Sequence, residues 1–247
     1  MSQILKALRT KPWLPIASIA IIIGTVLAQI SPSTSVGWLD AARAAHGGAT
    51  LENLTGYRET GIFRAAATTT QPQTDGTYTI LADLTGSRFR REFTLAGVRV
   101  IQNYDNNTGY FWSSSLNRKE IPPASGLATF KAYLYQGWLG LRFTTRDSSS
   151  LLGTQTFGTV SGTSVNATKA GVAEQFLFST SGELVAEKLD FMGFGNIVME
   201  YRNFQPSGGL KIPFETRLLK GTTLVATQIT QTATLNPTWT ASDFASP

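Results

Sequence analysis

The sequence of 247 residues contains no cysteine and only one histidine, His46. Without cysteine no disulfide can form and no cysteine can carry a lipid anchor, so a stable fold has to come from buried apolar area. A single histidine excludes His-dependent catalytic triads and metal sites built on several histidines. P-loop and G-x-S-x-G motifs are also absent. The sequence therefore predicts no metal and no cofactor, and His46 is expected to interact with the C-terminal end of a helix.

The first 28 residues lack acidic side chains. Basic residues precede an uncharged run at 13–30, in which Val26 and Ala28 are the small residues that a signal peptidase requires before its cut. This pattern predicts an export signal at residues 1–28 and a linker at 29–35, so the remainder is expected in the periplasm or cell envelope of a bacterium. The run is close to the shortest length that spans a bilayer, and an uncleaved N-terminal anchor remains the alternative.

Charge gives no support for a nucleic-acid partner. Cleavage after residue 28 removes three basic side chains, which leaves 18 basic against 16 acidic ones and lowers the formal charge from +5 to +2. The only tight basic cluster, Arg88, Arg90 and Arg91, divides between the two faces of an alternating strand. Nucleic acid needs a clustered basic face, so none is expected to bind.

Alternating apolar and polar residues dominate the chain from residue 57 onward, and turns rich in glycine and asparagine separate the segments. Such short connections indicate an antiparallel meander, because parallel strands need longer crossovers. The predicted strands are 57–63, 77–84, 88–95, 98–104, 110–112, 157–162, 172–179, 184–191, 197–204, 210–219 and 224–235.

Helical spacing occurs at two places. A short helix is predicted from Ser35, a capping residue, to Gly47-Gly48, and a second turn is predicted at 49–54. A helical lid insertion is predicted at about 123–152, where apolar residues recur near helical spacing between two halves of the sheet. These residues are Leu127, Phe130, Leu134, Trp138 and Leu141, with Tyr133 and Tyr135 adding aromatic area.

A single antiparallel sheet of about ten to twelve strands, apolar on one face, has to curl or be covered. The predicted helices are the only elements that can cover it. The predicted architecture is mainly β (α+β): a strongly curved antiparallel sheet that forms an incomplete barrel, with helices covering its concave apolar face. Residues 36–247 are expected to form one such domain.

Most carboxylates are predicted to point to solvent, because they lie opposite apolar residues on alternating strands. This set is Asp83, Glu92, Glu174, Glu183, Glu187, Asp190, Glu200 and Glu215. Glu59 shares a face with Tyr57 and Phe63 and is the only candidate for an inward polar group. An enzyme that cleaves glycans would need two inward carboxylates, so the protein is not expected to be an enzyme.

Apolar and aromatic side chains are abundant on the predicted inner face. They form either an ordinary packed core or the wall of a cavity for an apolar ligand that the lid insertion covers. The residues alone leave both interpretations open.

The ordered combination of short motifs resembles the LolA/LolB superfamily of periplasmic lipoprotein carriers and outer-membrane lipoprotein-sorting proteins. The likeness extends over nearly the whole chain after the export signal. It rests on AAHGG at 44–48, LENL at 51–54, RFRREF at 88–93, VIQNYD at 100–105, GYFW at 109–112, GLKIPF at 209–214 and LNPTWTASDF at 235–244.

The resemblance implies an incomplete barrel with a helical lid over an apolar cavity that accepts lipoprotein acyl chains without nucleotide. It also implies an arginine that locks the lid, for which Arg88, Arg90 and Arg91 compete. Related domains act as stress sensors, so a lipoprotein carrier is not the only role that the resemblance allows.

The sequence thus predicts an exported, non-enzymatic lipid- or lipoprotein-binding carrier. Its expected partners are acyl chains, with membrane contact that is transient or made through an uncleaved N-terminal segment. The alternative is an envelope protein-interaction or sensor module with a packed core and no lipid ligand. The predicted ligand-binding residues are Phe89, Phe93, Tyr104, Trp112, Phe130, Tyr133, Leu134 and Trp138.

Overall fold

The structure is a computed structural model that describes residues 32–190, 196–245 and 247. The predicted export signal at 1–28, the linker as far as residue 31, and the predicted end of a strand at residue 191 lie outside these described residues. No described helix is long and apolar enough to cross a membrane.

Helices are few and short. They are Ser35–Ala45 (α1), Ala49–Glu52 (α2), Ala124–Ala132 (α3) and Gly137–Gly140 (α4), with a final 3-10 helix at Ala241–Phe244. The side chain of Thr34, not the predicted Ser35, caps α1 by accepting a hydrogen bond from the Gly37 backbone N–H at 3.1 Å. The helical lid insertion ends well before residue 152, because the next element is a strand.

Thirteen strands occur in the described residues, against the ten to twelve predicted. They are Gly56–Ala65 (β1), Thr74–Asp83 (β2), Arg88–Leu95 (β3), Val98–Asp105 (β4), Thr108–Ser113 (β5), Arg118–Glu120 (β6), Ser148–Phe157 (β7), Val160–Lys169 (β8), Val172–Phe178 (β9), Leu184–Asp190 (β10), Asn196–Ser207 (β11), Leu210–Lys220 (β12) and Thr223–Leu235 (β13). The strand predicted at 157–162 is wrong, because this segment contains the turn between β7 and β8, and residues 163–169 of β8 were missed. The prediction also missed β6 and most of β7, which are the two ends of the sheet. Their side chains are mostly exposed, so they lack the apolar alternation that marks a half-buried strand.

All the strands form one antiparallel sheet in the order β6-β5-β4-β3-β2-β1-β13-β12-β11-β10-β9-β8-β7. β1 and β13 pair at its centre, while β6 and β7 are edges and do not close the sheet into a barrel. The predicted class is therefore confirmed: the protein is mainly β, with an open, curved antiparallel sheet and few helices.

The main core lies on the concave face, between the sheet and the helices. The cross-strand register places Phe89 beside Tyr104, and these side chains pack in one buried cluster with Trp38 of α1 and Trp138 of α4. Trp38 stacks on Phe178 of β9 with ring centroids 6.2 Å apart, which fixes α1 over the β8 to β10 side of the sheet. The helices thus cover the apolar face, as one-sided sheets require.

His46 follows α1 as its C-cap residue and is completely buried. Its Nδ1 lies 2.7 Å from the carbonyl oxygen of Lys211, and the Leu184 backbone N–H donates to Nε2 at 3.2 Å. These contacts fix a neutral ring that joins α1 to β10 and β12. Burial lowers the pKa of His46, so the ring remains neutral at pH 7.

His46→Ala is expected to lower the free energy of unfolding by about 3 kcal/mol, since it leaves a buried N–H and a buried carbonyl without partners. Urea unfolding at pH 7.5 measures the change. Val36→Ala, at a position in the same helix that is 55% exposed, is the control and should cost less than about 0.5 kcal/mol. A loss of less than about 1 kcal/mol for His46→Ala contradicts the bridging role.

The prediction that the carboxylates point to solvent is wrong for Asp83, Glu174, Glu187 and Glu200, all of which are buried. The side chain of Glu200 lies on the outer face, as alternation predicts, but the β7–β8 turn buries it. The Thr159 backbone N–H and hydroxyl donate to its carboxylate at 2.5 and 2.7 Å. Alternation assigns a side chain to one of two faces. It does not reveal that a distant turn buries part of the outer face.

Candidate functional site

A helical segment at residues 124–146, here called the cover, lies over the concave face. Two aromatic pairs attach it to the sheet: Trp138 packs edge-on against Tyr57 of β1 with centroids 4.8 Å apart, and Tyr133 stacks on Phe89 of β3 at 4.7 Å. Such pairs contribute about 0.5–1.5 kcal/mol each beyond their buried area. The cover therefore depends on a small number of strong contacts.

A third attachment is polar. The Gly137 backbone N–H donates to Glu187 Oε2 at 2.7 Å, and the Tyr201 hydroxyl donates to Glu187 Oε1 at 2.6 Å. Gly137 has φ +59°, and a Cβ at this position would lie 2.5 Å from the Tyr201 hydroxyl. Only glycine fits this junction between the cover, β10 and β11.

Burial raises the pKa of Glu187 to about 7, although the hydrogen bonds from Tyr201 and Gly137 favour the charged form. Glu174 lies close by beneath α4, because a Cβ added to Gly140 would be 3.3 Å from its Oε2. Burial and then the charge of Glu187 raise the pKa of Glu174 well above its usual range, and neither of its oxygens has a hydrogen-bond partner. The contact between cover and sheet thus contains two buried acids.

The cover carries its own cations. Arg142 donates to the carbonyl oxygens of Leu134 and Leu139 at 2.6 and 2.8 Å, and Arg146 donates to the carbonyl oxygen of Gly140 at 2.5 Å. These bonds satisfy carbonyl groups at the ends of two short helices. The arginines hold the cover in one shape, and their charges partly oppose the rise in the pKa of Glu174.

Between cover and sheet lies a cavity of about 90 Å³, here called the covered cavity. Its wall is mostly aromatic and apolar, with a few polar groups. The lining residues that recur below are Tyr57, Glu59, Phe89, Arg91, Tyr133, Trp138, Glu187 and Tyr201. Ligand pockets usually measure about 300–1,000 Å³, so this cavity is smaller than an ordinary ligand pocket.

Glu59 points inward, as the sequence predicts. It accepts hydrogen bonds from Tyr57 at 2.8 Å, from Thr230 at 2.8 Å and from Tyr78. These donors come from three neighbouring strands, β1, β13 and β2. Glu59 is therefore the centre of a hydrogen-bond network in the floor of the covered cavity.

The eight predicted ligand-binding residues separate into four groups. Phe89, Tyr133 and Trp138 line the covered cavity. Phe93 lines a second pocket, described below. Tyr104, Phe130 and Leu134 are buried in the main core and line neither pocket, whereas Trp112 pairs with Ile101 and lies on the opposite face of the sheet.

The structure places Trp112 on the outer face of the sheet, and its neighbour Phe111 takes the inward position. In the register of β4 and β5, Phe111 lies opposite Gln102, two residues from the inward Tyr104. The Arg99 guanidinium lies 5.9 Å from the centre of the Trp112 ring on the outer face. A strand of six residues carries too short a pattern to fix its face from sequence.

The structure distinguishes the three clustered arginines. Arg88 pairs with Asp83 and Arg90 bonds to the carbonyl oxygen of Ala245, both on the outer face near the C-terminus. Arg91 alone faces the cover, with its guanidinium 5.6 Å from the centre of the Tyr133 ring. Of the three candidates, Arg91 is thus the one placed to hold the cover.

A second pocket, of about 290 Å³, lies on the concave face beside the covered cavity and is here called the rim pocket. Arg91 lines both spaces. The remaining lining residues of the rim pocket are Phe63, Phe93, Ile197, Leu218, Lys220, Val225 and Ala226.

Sequence reasoning missed Tyr57, Gly137, Glu187 and Tyr201. One signal for Glu187 was present: Leu189 stands two residues after it, so alternation places the two on one face. The irregular pairing of β9 and β10 between Leu184 and Ala186 removes the corresponding signal from Val185. Gly137 carried no comparable signal, since its contacts come from strands far along the chain. Within the described residues, no group of three or more His, Asp or Glu side chains could hold a metal ion.

These features define an open antiparallel half-barrel with a helical cover over its concave face. No protein-family model matches the sequence, and no curated protein matches it either. The resemblance to known proteins is therefore structural.

Solved structures match at probability 1.00. One, described as an outer membrane lipoprotein-sorting protein domain from Vibrio parahaemolyticus, has a TM-score of 0.53 and 8% identity over 85% of this chain and 97% of that chain. A LolA superfamily protein from Nitrosomonas europaea has a TM-score of 0.53 and 12% identity over 87% of this chain and 99% of its own. A DUF1329 family protein from Desulfovibrio piger has a TM-score of 0.54 and 6% identity over 85% and 96%. The chain has a LolA-like fold.

Proposed function

We propose that the protein is an exported, non-enzymatic carrier that binds acyl chains of lipids or lipoproteins against the concave face, in the periplasm of a bacterium. The observation that carries the proposal is the covered cavity, an aromatic and apolar space closed by a cover with few attachments. The name of the Vibrio neighbour, lipoprotein sorting, supports the same class of ligand. The N-terminal pattern supports export.

Binding requires the cover to move. The closed cavity of about 90 Å³ is smaller than ligand pockets of about 300 Å³ or more. Displacing Trp138 and Tyr133 from Tyr57 and Phe89 opens these ring faces to a ligand. An acyl chain can replace the lost contacts, since each buried methylene contributes about 0.8 kcal/mol.

The polar groups of the cavity favour binding over catalysis. Glu59 and Glu187 both line the covered cavity, but tyrosine hydroxyls already donate to each. A hydrolase would need these carboxylates available to a substrate and a water molecule. In the closed form both carboxylates instead complete internal networks that shape an apolar space.

Native mass spectrometry of the protein, expressed from the full-length sequence in a bacterium and purified without detergent, tests the proposal. A bound mass that matches a lipid or an acylated peptide is expected. Trp138→Glu places a charge against the acyl chain and should abolish ligand binding. Trp112→Glu, on the opposite face of the sheet, should retain the bound ligand. A ligand-free wild type that also fails to take up added acyl chains contradicts the proposal.

One observation favours the alternative of an envelope interaction or sensor module: the closed cavity holds only about 90 Å³. A packed interior with no ligand would produce no thermal shift with any lipid. It would also make Trp138→Glu and Trp112→Glu equal in their effect on lipid binding, because neither side chain would touch a ligand.

A further inference from the structure

The rim pocket is an apolar space on the same concave face as the covered cavity. Phe63 of β1 and Phe93 of β3 stack with ring centroids 5.5 Å apart and form one wall. Ile197, Leu218 and Ala226 form a buried cluster, and Phe63 packs against it. Val225, which also lines the pocket, is 47% exposed, so the pocket opens to solvent.

Two cations belong to this pocket. Arg91 is buried, and its guanidinium lies 5.2 Å from the centre of the Phe93 ring. Lys220 is exposed at the end of β12. None of the described residues that line the pocket is acidic.

This combination favours an anionic ligand. The positive charge of Lys220, at an exposed position of a pocket without acidic lining residues, attracts an anion. The aromatic and aliphatic walls favour an alkyl chain over a hydrated ion. A molecule with an alkyl chain and a negative head group is complementary to both the apolar walls and the positive charge of this pocket.

We infer that the rim pocket binds a single-chain fatty acid, with its carboxylate beside Lys220 and its chain against the apolar side chains that line the pocket. The inference rests on the proposed acyl-binding function. It further specifies that the ligand has a negative head group and that the rim pocket is where the ligand first contacts the protein. Arg91 lines both spaces, so a chain that enters the rim pocket extends towards the covered cavity.

The size of the pocket supports one chain. At about 290 Å³ it is just below the usual range for small-molecule sites, about 300–1,000 Å³. A phospholipid with two chains exceeds this space. The rim pocket therefore favours ligands with a single chain and a negative head group before the cover opens.

Equilibrium binding of four ligands with the same twelve-carbon chain tests the inference on the full-length protein at pH 8. The probes are laurate, dodecanol, dodecyltrimethylammonium and lauroyl lysophosphatidylglycerol, each below its critical micelle concentration. Laurate is expected to bind at least about fivefold more tightly than the cationic probe, because the cations attract one head group and repel the other. This preference should fall in 0.5 M salt, which screens exposed charges.

Lys220→Glu provides the decisive variant, since the side chain is exposed and its replacement leaves the core intact. It should weaken laurate binding about fivefold and change dodecanol binding less than about twofold. Lys119→Glu, the same charge reversal at an exposed position of β6 outside the rim pocket, is the matched control and should leave laurate binding unchanged.

The outcomes separate this inference from the carrier proposal. Equal affinity for the four probes contradicts a preference of the rim pocket for an anionic head group. Equal effects of Lys220→Glu and Lys119→Glu on laurate binding contradict it too. Neither result contradicts the proposal that the protein binds acyl chains. Tighter binding of the lysophospholipid than of laurate overturns the assignment to a carboxylate. Failure of every probe, dodecanol included, overturns both.

Discussion

We expect Gly137→Ala to detach the cover from the sheet. The backbone has φ +59°, which costs alanine about 1–2 kcal/mol, and the new Cβ would lie 2.5 Å from the Tyr201 hydroxyl. Relief of that clash breaks the bond from the Gly137 N–H to Glu187, and leaving this buried N–H without a partner costs about 1–3 kcal/mol. Together these effects lower the free energy of cover opening by about 3 kcal/mol.

Hydrogen exchange of the backbone amides in residues 124–140 measures this opening. A decrease of about 3 kcal/mol accelerates their exchange by roughly two orders of magnitude if opening limits it. The variant should also bind an apolar fluorescent dye that the closed protein excludes. Acyl-chain uptake should be faster, since the cover no longer has to break its polar attachment.

Gly97→Ala is the matched control for this experiment. Gly97 has φ +77°, so alanine meets a similar backbone cost, but a Cβ there contacts nothing within 4 Å. It lies in the turn between β3 and β4, away from the contacts of Gly137. Equal exchange of residues 124–140 in the two variants would show that backbone strain, and not the junction with Glu187 and Tyr201, explains the result.

The second large effect is a dependence of stability on pH that Glu187 causes. Its pKa is about 7 in the folded protein, against 4.5 for an ordinary glutamate, so the folded state holds this proton more tightly. Protonated Glu187 therefore stabilises the folded state fully below pH 4.5. This stabilisation decreases as the pH rises towards 7 and is lost above pH 7. A shift from 4.5 to about 7 corresponds to about 3 kcal/mol.

Glu187→Gln should remove this component, because glutamine does not titrate. Urea unfolding at pH 5 and at pH 8 gives the difference in unfolding free energy for each protein. We expect the decrease from pH 5 to pH 8 to be about 3 kcal/mol smaller in the variant than in the wild type. Protonation of His46, whose pKa is lowered, acts equally in both proteins and cancels in this comparison.

Glu215→Gln serves as the control for Glu187→Gln, since Glu215 lies on the opposite face of β12 from Phe214 and Leu218. It should show the pH dependence of the wild type. If the wild type and Glu187→Gln lose the same stability between pH 5 and pH 8, the buried carboxylate is not the source. Because the charge of Glu187 also raises the pKa of Glu174, Glu187→Gln removes that effect as well, and the difference between the two proteins measures the two coupled carboxylates together.

The sheet was predictable because its signal is local. In β1 and β3, period-two alternation places Tyr57 and Glu59 together, and Phe89, Arg91 and Phe93 together, before any tertiary contact is known. The structure confirms both sets on the concave face. Edge strands such as β7 were missed because no core imposes a pattern on them.

The candidate site was predictable only in part, because it depends on contacts between distant segments. Helical spacing placed Tyr133, Leu134 and Trp138 in one insertion, but spacing did not separate the residues that face the cavity from those that pack in the core. Tyr133 and Trp138 line the cavity, and Leu134 is buried beside it. The orientation of the cover on the sheet determines which of its side chains face the cavity and which pack in the core.

The sequence by itself determined an antiparallel sheet with one apolar face, stabilised without disulfides and supplied with an inward glutamate at position 59. Only the tertiary structure decided that Glu187 and Gly137 form the polar junction, that Arg91 is the inward arginine that contacts the cover, and that Trp112 faces away. The physical reason is that alternation fixes which residues of one strand share a face. Burial, hydrogen bonding and pKa at that face depend on which distant segment packs against it.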